Sequence, residues 1–302
     1  MVERASRGRT TKVEEGRVKV LGFELFYRKF TPPSPRGTLL CLHGGPGATH
    51  DYLLPLRDLA RSGWSVVFYD QLGCGRSELP KNYGLFTVER AVEEVEAFRA
   101  AMGLGRVHLM GSSYGGMLAL AYALKYQRHL RSLITTGGLA SVPLVRAEMD
   151  RLKSELPPAV QRTLEKYEAR GEYEDPDYEK AVMVFYRRHL LRRSRWPKEQ
   201  LYTIAHISKP VYGTMNGPNE FTIIGNTRYW DITDRLHEIE VPTLVTGGRY
   251  DEVTPRVARS IHDHIKGSKM VIFERSSHLA MWEERGRYMR TLDRFMSSVP
   301  SR

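Results

Sequence analysis

The chain has 302 residues, 41% of them hydrophobic, which is enough for one large buried core, and its two cysteines are too few for a disulfide framework. No run of 18 apolar residues that could span a membrane occurs, and residues 1–12 lack the apolar segment of a secretory signal, so we expect a cytoplasmic protein. The net charge of +11 does not indicate nucleic-acid binding. The densest basic run, RRHLLRRSRWPK at 187–198, is typical of a solvated helix face, and no nucleic-acid-binding motif accompanies it.

Short runs rich in β-branched residues alternate with amphipathic segments in both end regions of the chain. The first run, RVKVLGFELFYRKF at 17–30, predicts a β-hairpin. Six further strands are predicted at GTLLCLH, SVVFYD, RVHLMG, RSLITTGG, VPTLVTGG and KMVIFER. This alternation is typical of the α/β class, with a mostly parallel central sheet and helices on both faces.

The alternation stops in the middle of the chain. Two long helix-like stretches, VRAEMDRLKSELPPAVQRTLEKYEARG and PDYEKAVMVFYRRHLLRRS, replace it there, and prolines interrupt them. The pattern predicts a helical cap inserted before the last two strands. The expected division is a first core part at 1–140, the cap at 141–232 and a second core part at 233–302.

The segment LMGSSYGG at 109–116 places Gly-Xaa-Ser-Xaa-Gly between a predicted strand and a predicted helix. In such a nucleophile elbow the turn is so sharp that only small residues fit beside the central serine, whose hydroxyl is held above the sheet. Ser113 is therefore the candidate nucleophile. An Asp at this position would have indicated epoxide hydrolases or haloalkane dehalogenases instead.

A serine nucleophile needs a histidine to take its proton and an acid to orient that histidine, in the chain order Ser, Asp, His. Asp251 follows the strand TLVTGG and His278 follows the strand MVIFER. Catalytic groups of open α/β sheets gather at the carboxyl ends of the strands, so all three side chains are expected at one edge. His262, Asp263 and His264 fit less well, because they lie in a predicted helix.

The loop HGGPG, which follows the first parallel strand, is the candidate for the second half of an oxyanion hole. Acyl transfer needs two N–H groups directed at the developing negative charge, one from the residue after the nucleophile and one from an early loop. Tyr114 would supply the first. Gly45 is favoured for the second, although the sequence leaves Gly44 open.

Other functions of these glycine-rich segments are not supported. HGGPG lacks the Gly-Lys-Ser/Thr of a phosphate-binding loop, and GCGRSE carries Glu78 where a dinucleotide fingerprint has its third glycine. His43 and His50 lack a third metal ligand. We therefore predict neither a cofactor nor a metal.

The segments HGGPG, FYDQLGCGRS, GSSYGG, GGRYDEVTP and SSHLAMWE, together with MNGPNEFT at 215–222, resemble those of the proline iminopeptidases, which are serine aminopeptidases of the α/β-hydrolase fold. The resemblance extends over nearly the whole chain from about residue 13. It is strongest to the archaeal type that trims peptides released by the tricorn protease. Many bacterial members have Trp where this chain has Tyr114, so the chain is similar to a second subtype.

The resemblance implies release of an N-terminal residue, preferably proline, from short peptides with a free N-terminus. Association with a larger protease complex is a further possibility that the sequence leaves open. On matching positions, Glu220 and Glu252 would bind the substrate's amine. Two carboxylates also suit this task chemically, because a terminal amine is a cation with a pKa of about 8. For Glu220 the alternative is a solvated loop acid.

Three further questions stay open at this point. The same scaffold and triad would also serve a carboxylesterase or another carbonyl hydrolase, and a non-catalytic binding subunit is the second alternative. Aromatic side chains are candidates for lining a proline pocket, with ordinary core packing as the alternative; they are Tyr229, Trp230 and Trp282.

Overall fold

The computed structural model describes residues 10–220 and 222–300. Its central sheet contains eight strands, which are β1 (Lys12–Val20), β2 (Phe23–Thr31), β3 (Gly37–Leu42), β4 (Trp64–Tyr69), β5 (Val107–Ser112), β6 (Leu130–Thr136), β7 (Thr243–Gly248) and β8 (Lys269–Phe273). Their spatial order is β1-β2-β4-β3-β5-β6-β7-β8. The predicted hairpin pairs β1 with β2, and β2 runs antiparallel to β4, whereas all pairs from β4 to β8 are parallel. The predicted α/β class is confirmed.

Ten α-helices occur in the described residues, and they are α1 (Val88–Ala101), α2 (Tyr114–Tyr126), α3 (Val142–Ser154), α4 (Pro158–Glu168), α5 (Pro176–His189), α6 (Lys198–Ala205), α7 (Lys209–Met215), α8 (Pro255–His264), α9 (Ala280–Glu283) and α10 (Arg285–Ser298). A 3₁₀ helix at His50–Ser62 follows the HGGPG loop. None of these helices has the length and apolar character needed to cross a bilayer.

Alternate residues of each central strand pack into separate cores on the two faces of the sheet. On β3, Leu40 and Leu42 join the core under α1, α2 and α8, while Leu39 and Cys41 join the core under the 3₁₀ helix and α10. Every residue of β4, β5 and β7 is buried. A strand covered on both faces has no polar side, which explains why these runs are almost continuously apolar in the sequence.

Five helices, α3 to α7, lie between β6 and β7, where the sequence predicts the cap. The predicted helix around 145–171 is divided into α3 and α4 at Pro157, because proline cannot continue a helix from its interior. Main-chain contacts close the base of the insertion: Val142 N–H donates to Trp230 O, and Ile232 N–H donates to Ala140 O, both at 2.9 Å. The proposed boundaries at 141 and 232 stay predictions.

The basic run at 187–198 is only partly helical, which differs from the sequence-based expectation. Helix α5 ends at His189, and the chain continues irregularly to Pro197. Leu191 is fully buried in this segment, and the Arg192 guanidinium lies 3.7 Å over the Tyr250 ring. The segment therefore packs against the core instead of presenting one solvated helix face.

Candidate active site

Ser113 lies in the turn that joins β5 to α2, with φ 58° and ψ −126°. This positive φ is unfavourable for a residue with a side chain and is held by the surroundings, since the Ser113 N–H donates to Thr136 O at 2.9 Å. A Cβ on Gly115 would collide with the Leu42 carbonyl of the neighbouring strand. The glycine is needed because the elbow packs directly against β3.

Asp251 and His278 lie in the loops that follow β7 and β8, and both are buried. His278 Nδ1 is 2.6 Å from Asp251 Oδ1. The N–H groups of Gly248 and Val253 donate to the Asp251 carboxylate and fix its orientation. The structure thus brings the acid and the base into contact at the edge of the sheet that carries Ser113.

The charge environment favours the protonated form of His278. Burial alone would lower the pKa of His278, but the charge of Asp251, its hydrogen bond to the ring, and the charges of Glu252 and Glu220 together raise that pKa to about 9.

Glu252 and Glu220 complete an acidic wall beside His278. Glu252 is buried, its Oε1 is 3.9 Å from His278 Nε2, and its Oε2 has no hydrogen-bond partner in the described residues. Burial raises the pKa of Glu252 to about 8, with the neighbouring acids adding to the shift and His278 opposing it. Burial of the carboxyl also raises the pKa of Glu220, while the Tyr212 hydroxyl and His278 oppose that change.

The structure favours Gly45 over Gly44 as the second oxyanion donor. The Gly44 N–H already donates to the Tyr52 hydroxyl at 2.8 Å, whereas the N–H groups of Gly45 and Tyr114 have no acceptor in the described residues. Gly45 has φ 111° and is joined to Pro46 by a cis peptide bond. A Cβ on Gly44 would come within 2.7 Å of the Ser113 Cβ, so this glycine lets the loop approach the nucleophile.

The two histidines of the HGGPGATH segment are occupied by structural contacts. His43 Nδ1 is 3.0 Å from Gly44 O, and its Nε2 accepts from the Gln71 N–H at 3.0 Å. His50 Nδ1 is 2.8 Å from Asp70 Oδ1. No group of three or more His, Cys, Asp or Glu side chains in the described residues is placed to hold a metal.

Two cavities meet at Ser113, and both are lined by Ser113, Gly45, Glu220 and Glu252. The first, which we call the aliphatic cavity, is further lined by Met117, Leu139, Val142, Val145, Met149 and Ile223. The second, which we call the His278 cavity, has a volume of about 100 Å³ and is further lined by His278, Tyr52, Tyr186, Leu190, Gln200, Ile204 and Ile207.

The aromatic residues singled out in the sequence do not line either cavity. Tyr229 is 75% exposed, Trp230 packs against the core beside α1 and α2, and the Trp282 indole donates to Tyr52 O. Tyr52 and Tyr186 line the His278 cavity instead. No motif surrounds either residue, so no local pattern could have pointed to them.

One carbonyl of the cap joins the two loops that carry the acidic wall and the histidine. His189 O, at the end of α5, accepts from the N–H of His278 at 3.0 Å and from the N–H of Glu252 at 3.3 Å. The His189 ring also lies 2.9 Å from Tyr250 O. The cap is thus bonded directly to the main chain of the candidate site.

Gly137, directly after β6, is a position that sequence reasoning missed. It has φ +51°, and a Cβ there would lie 2.6 Å from two atoms of the His278 ring and 3.1 Å from Asp251 Oδ2. We expect Gly137→Ala to displace the imidazole and lower kcat by about 100-fold, the scale of a 1 Å misplacement. The measurement is steady-state hydrolysis of a proline amide.

Gly103→Ala is the matched control for this variant. Gly103 has φ +62°, and no atom lies within 4 Å of the position that a Cβ would take there, so the substitution introduces the same backbone strain without the collision. Gly103→Ala should lose about 1 kcal/mol of unfolding free energy, and Gly137→Ala should lose at least as much, because the collision adds to the backbone strain. Equal kcat values for the two variants would contradict the assigned contact.

Known proteins are similar to this chain in sequence and fold. A family model described as the alpha/beta hydrolase fold matches residues 37–285. The chain is similar to the proline iminopeptidase of Saccharolobus solfataricus (48% identical over 297 residues, 98% of this chain and 96% of the relative) and to that of Thermoplasma volcanium (50% over 288 residues, 95% and 97%). It is also similar to the crystal structure of the Mycobacterium smegmatis proline iminopeptidase, with TM-score 0.88, 33% identity and 94% and 98% coverage.

Proposed function

Because the chain belongs to the proline iminopeptidases of the α/β-hydrolase family, we propose that Ser113, Asp251 and His278 are the triad of this serine aminopeptidase. The enzyme releases the N-terminal residue, preferably proline, from peptides. Ser113 attacks the carbonyl carbon of that residue while His278 takes the hydroxyl proton. The N–H groups of Gly45 and Tyr114 stabilise the oxyanion that forms.

The second half of the reaction reverses these roles. His278 gives its proton to the leaving amine, and the N-terminal residue stays bound to Ser113 as an ester. His278 then removes a proton from water, which attacks the ester and frees the residue. The steps use only side chains, main-chain N–H groups and water.

The observation that carries the proposal is the pair of carboxyl groups beside His278. Neither the half-buried Glu220 nor the buried Glu252 pairs with a Lys or Arg in the described residues, so both acids lack a lysine or arginine counterion there. The amine of a substrate would supply the positive charge. The N-terminal ring then points into the aliphatic cavity, and the leaving peptide lies in the His278 cavity, because the leaving nitrogen must reach the imidazole.

We further propose which molecules the protein meets and where it acts. Short peptides with a free N-terminus fit the two cavities, and the cap excludes water from them. Association with a larger protease complex rests on the resemblance to the archaeal type alone. A cytoplasmic location is expected from the sequence. The esterase and binding-subunit alternatives are not favoured, since the named relatives are iminopeptidases over nearly their whole length.

Three substrates test the function with the wild-type protein. We expect a proline aryl-amide with a free amine to be hydrolysed, whereas its N-acetylated twin and a short-chain aryl ester are cleaved at least 100-fold more slowly, about the loss from removing one buried charge partner. Equal or faster cleavage of the acetylated compound or the ester would show a general carbonyl hydrolase instead.

A further inference from the structure

The cap wall of the His278 cavity carries a polar group without a partner. Gln200 on α6 is only 4% exposed, lines this cavity, and its side-chain amide makes no hydrogen bond to the described residues, with Oε1 fully buried. Most buried amides in proteins are hydrogen-bonded, because an unpaired one costs stability. The amide therefore keeps hydrogen-bonding capacity that a ligand in the cavity beside it could use.

Helix α6 holds Gln200 at a fixed position relative to the oxyanion loop. Thr203, one turn further along, places its Oγ1 2.9 Å from Oγ1 of Thr49, which follows HGGPG closely in the chain. Thr203 lines the same cavity, but its hydroxyl is already bonded. The rest of the cap wall is mainly apolar, with Leu190, Ile204 and Ile207.

The geometry points to Gln200 as the residue that binds the first peptide group beyond the scissile bond. The leaving nitrogen must lie at His278, so the following residues extend through the His278 cavity, where Gln200 offers one donor and one acceptor. A peptide group is the complementary pair, with its C=O accepting and its N–H donating. This assignment rests on the proposed function, and it makes Gln200 a specificity residue for peptides over simple amides.

The test compares proline release from three substrates by wild type and Gln200→Met. The substrates are the tripeptide Pro-Ala-Ala, its depsipeptide analogue with an ester in place of the second amide, and prolinamide, which has no second peptide group. We expect Gln200→Met to lower kcat/KM for the tripeptide about tenfold and to leave prolinamide within twofold. Wild type should prefer the tripeptide to the depsipeptide, and the variant should lose most of that preference.

Stability separates a binding role from a structural one. Methionine removes an unpaired buried amide at similar length, so the thermal midpoint of Gln200→Met should be unchanged or raised. Leu201→Ala, 53% exposed on the same helix, is the control and should behave as wild type on all substrates.

Two results would overturn the inference. Either an equal loss on all three substrates or no loss on the tripeptide rules out binding of the second peptide group by Gln200. Failure of the proposed function is distinguishable, because it would appear in the wild type, as missing proline release from prolinamide and the tripeptide alike.

Discussion

Ser113→Ala should lower kcat for a free-amine proline amide by about 10⁴- to 10⁶-fold, the largest effect expected of any single substitution. Alanine cannot form the acyl-enzyme, so only the oxyanion donors and substrate positioning continue to contribute. The elbow geometry comes from the surrounding glycines and the Thr136 contact, and the variant should therefore fold normally.

Ser112→Ala is the control for this variant. Ser112 is buried one position earlier in β5, and its side chain contacts the Tyr52 hydroxyl, which accepts from the Gly44 N–H. We expect its kcat to stay within about fivefold of wild type, the scale of one lost hydrogen bond, because the nucleophile itself is kept. The Ser113→Ala protein must be purified free of contaminating peptidases. If it then keeps a tenth of the wild-type activity, Ser113 is not the nucleophile.

Glu252→Gln and Glu220→Gln should each lower kcat/KM for free-amine substrates by about 100-fold, which corresponds to loss of one partner from a buried charge pair. Glutamine keeps the shape of the side chain and removes its charge, so the ammonium group of the substrate loses a counterion. Hydrolysis of the N-acetylated twin, slow in wild type, should not fall further. A parallel fall for both substrates would indicate a general structural defect.

Glu94→Gln is the matched control for these variants. Glu94 is also a buried carboxyl, and burial raises its pKa to about 7, but it does not line either cavity beside Ser113. Its replacement should leave the discrimination between free and acetylated amines unchanged.

The pH dependence gives the glutamate prediction a second readout. Reaction of Ser113 with a small sulfonyl fluoride requires neutral His278, so its rate rises with pH through the pKa of that ring, which is raised to about 9 in the wild type. Removing the negative charge at Glu252 favours loss of the ring proton, and the midpoint should move to lower pH in Glu252→Gln. An unchanged or higher midpoint would contradict the charge coupling.

The strands and the nucleophile elbow could be predicted from the sequence because each depends on a pattern of neighbouring residues. The buried strands appear as short apolar runs, and the elbow around Ser113 needs small residues at fixed positions, so both can be recognised from adjacent residues alone. Asp251 and His278 could be selected because the carboxyl ends of parallel strands meet at one edge. The two side chains lie within hydrogen-bond distance of each other, and their roles await the experiments above.

The cap could not be predicted to the same depth. Helical stretches could be predicted there, but the side of the cap that faces Ser113 depends on how five helices pack on the sheet. Gln200 and His189 carry no motif. None of the aromatic candidates for a proline pocket lines either cavity: Trp230 packs against the core, which was the alternative for it, and Tyr229 is mostly exposed. In the sequence Gly137 is one of two glycines that follow a predicted strand, and nothing in that pattern indicates that His278 lies against it.

The carbonyl of His189 connects the cap, which covers the candidate site, to the loops that carry Glu252 and His278. Any movement that lifts the end of α5 away from the sheet breaks its hydrogen bonds to the main chain of both Glu252 and His278. The loops that carry these two side chains would therefore lose a common anchor at the same time. A substitution that disturbs the end of α5 should accordingly affect both loops together, although it lies outside the sheet.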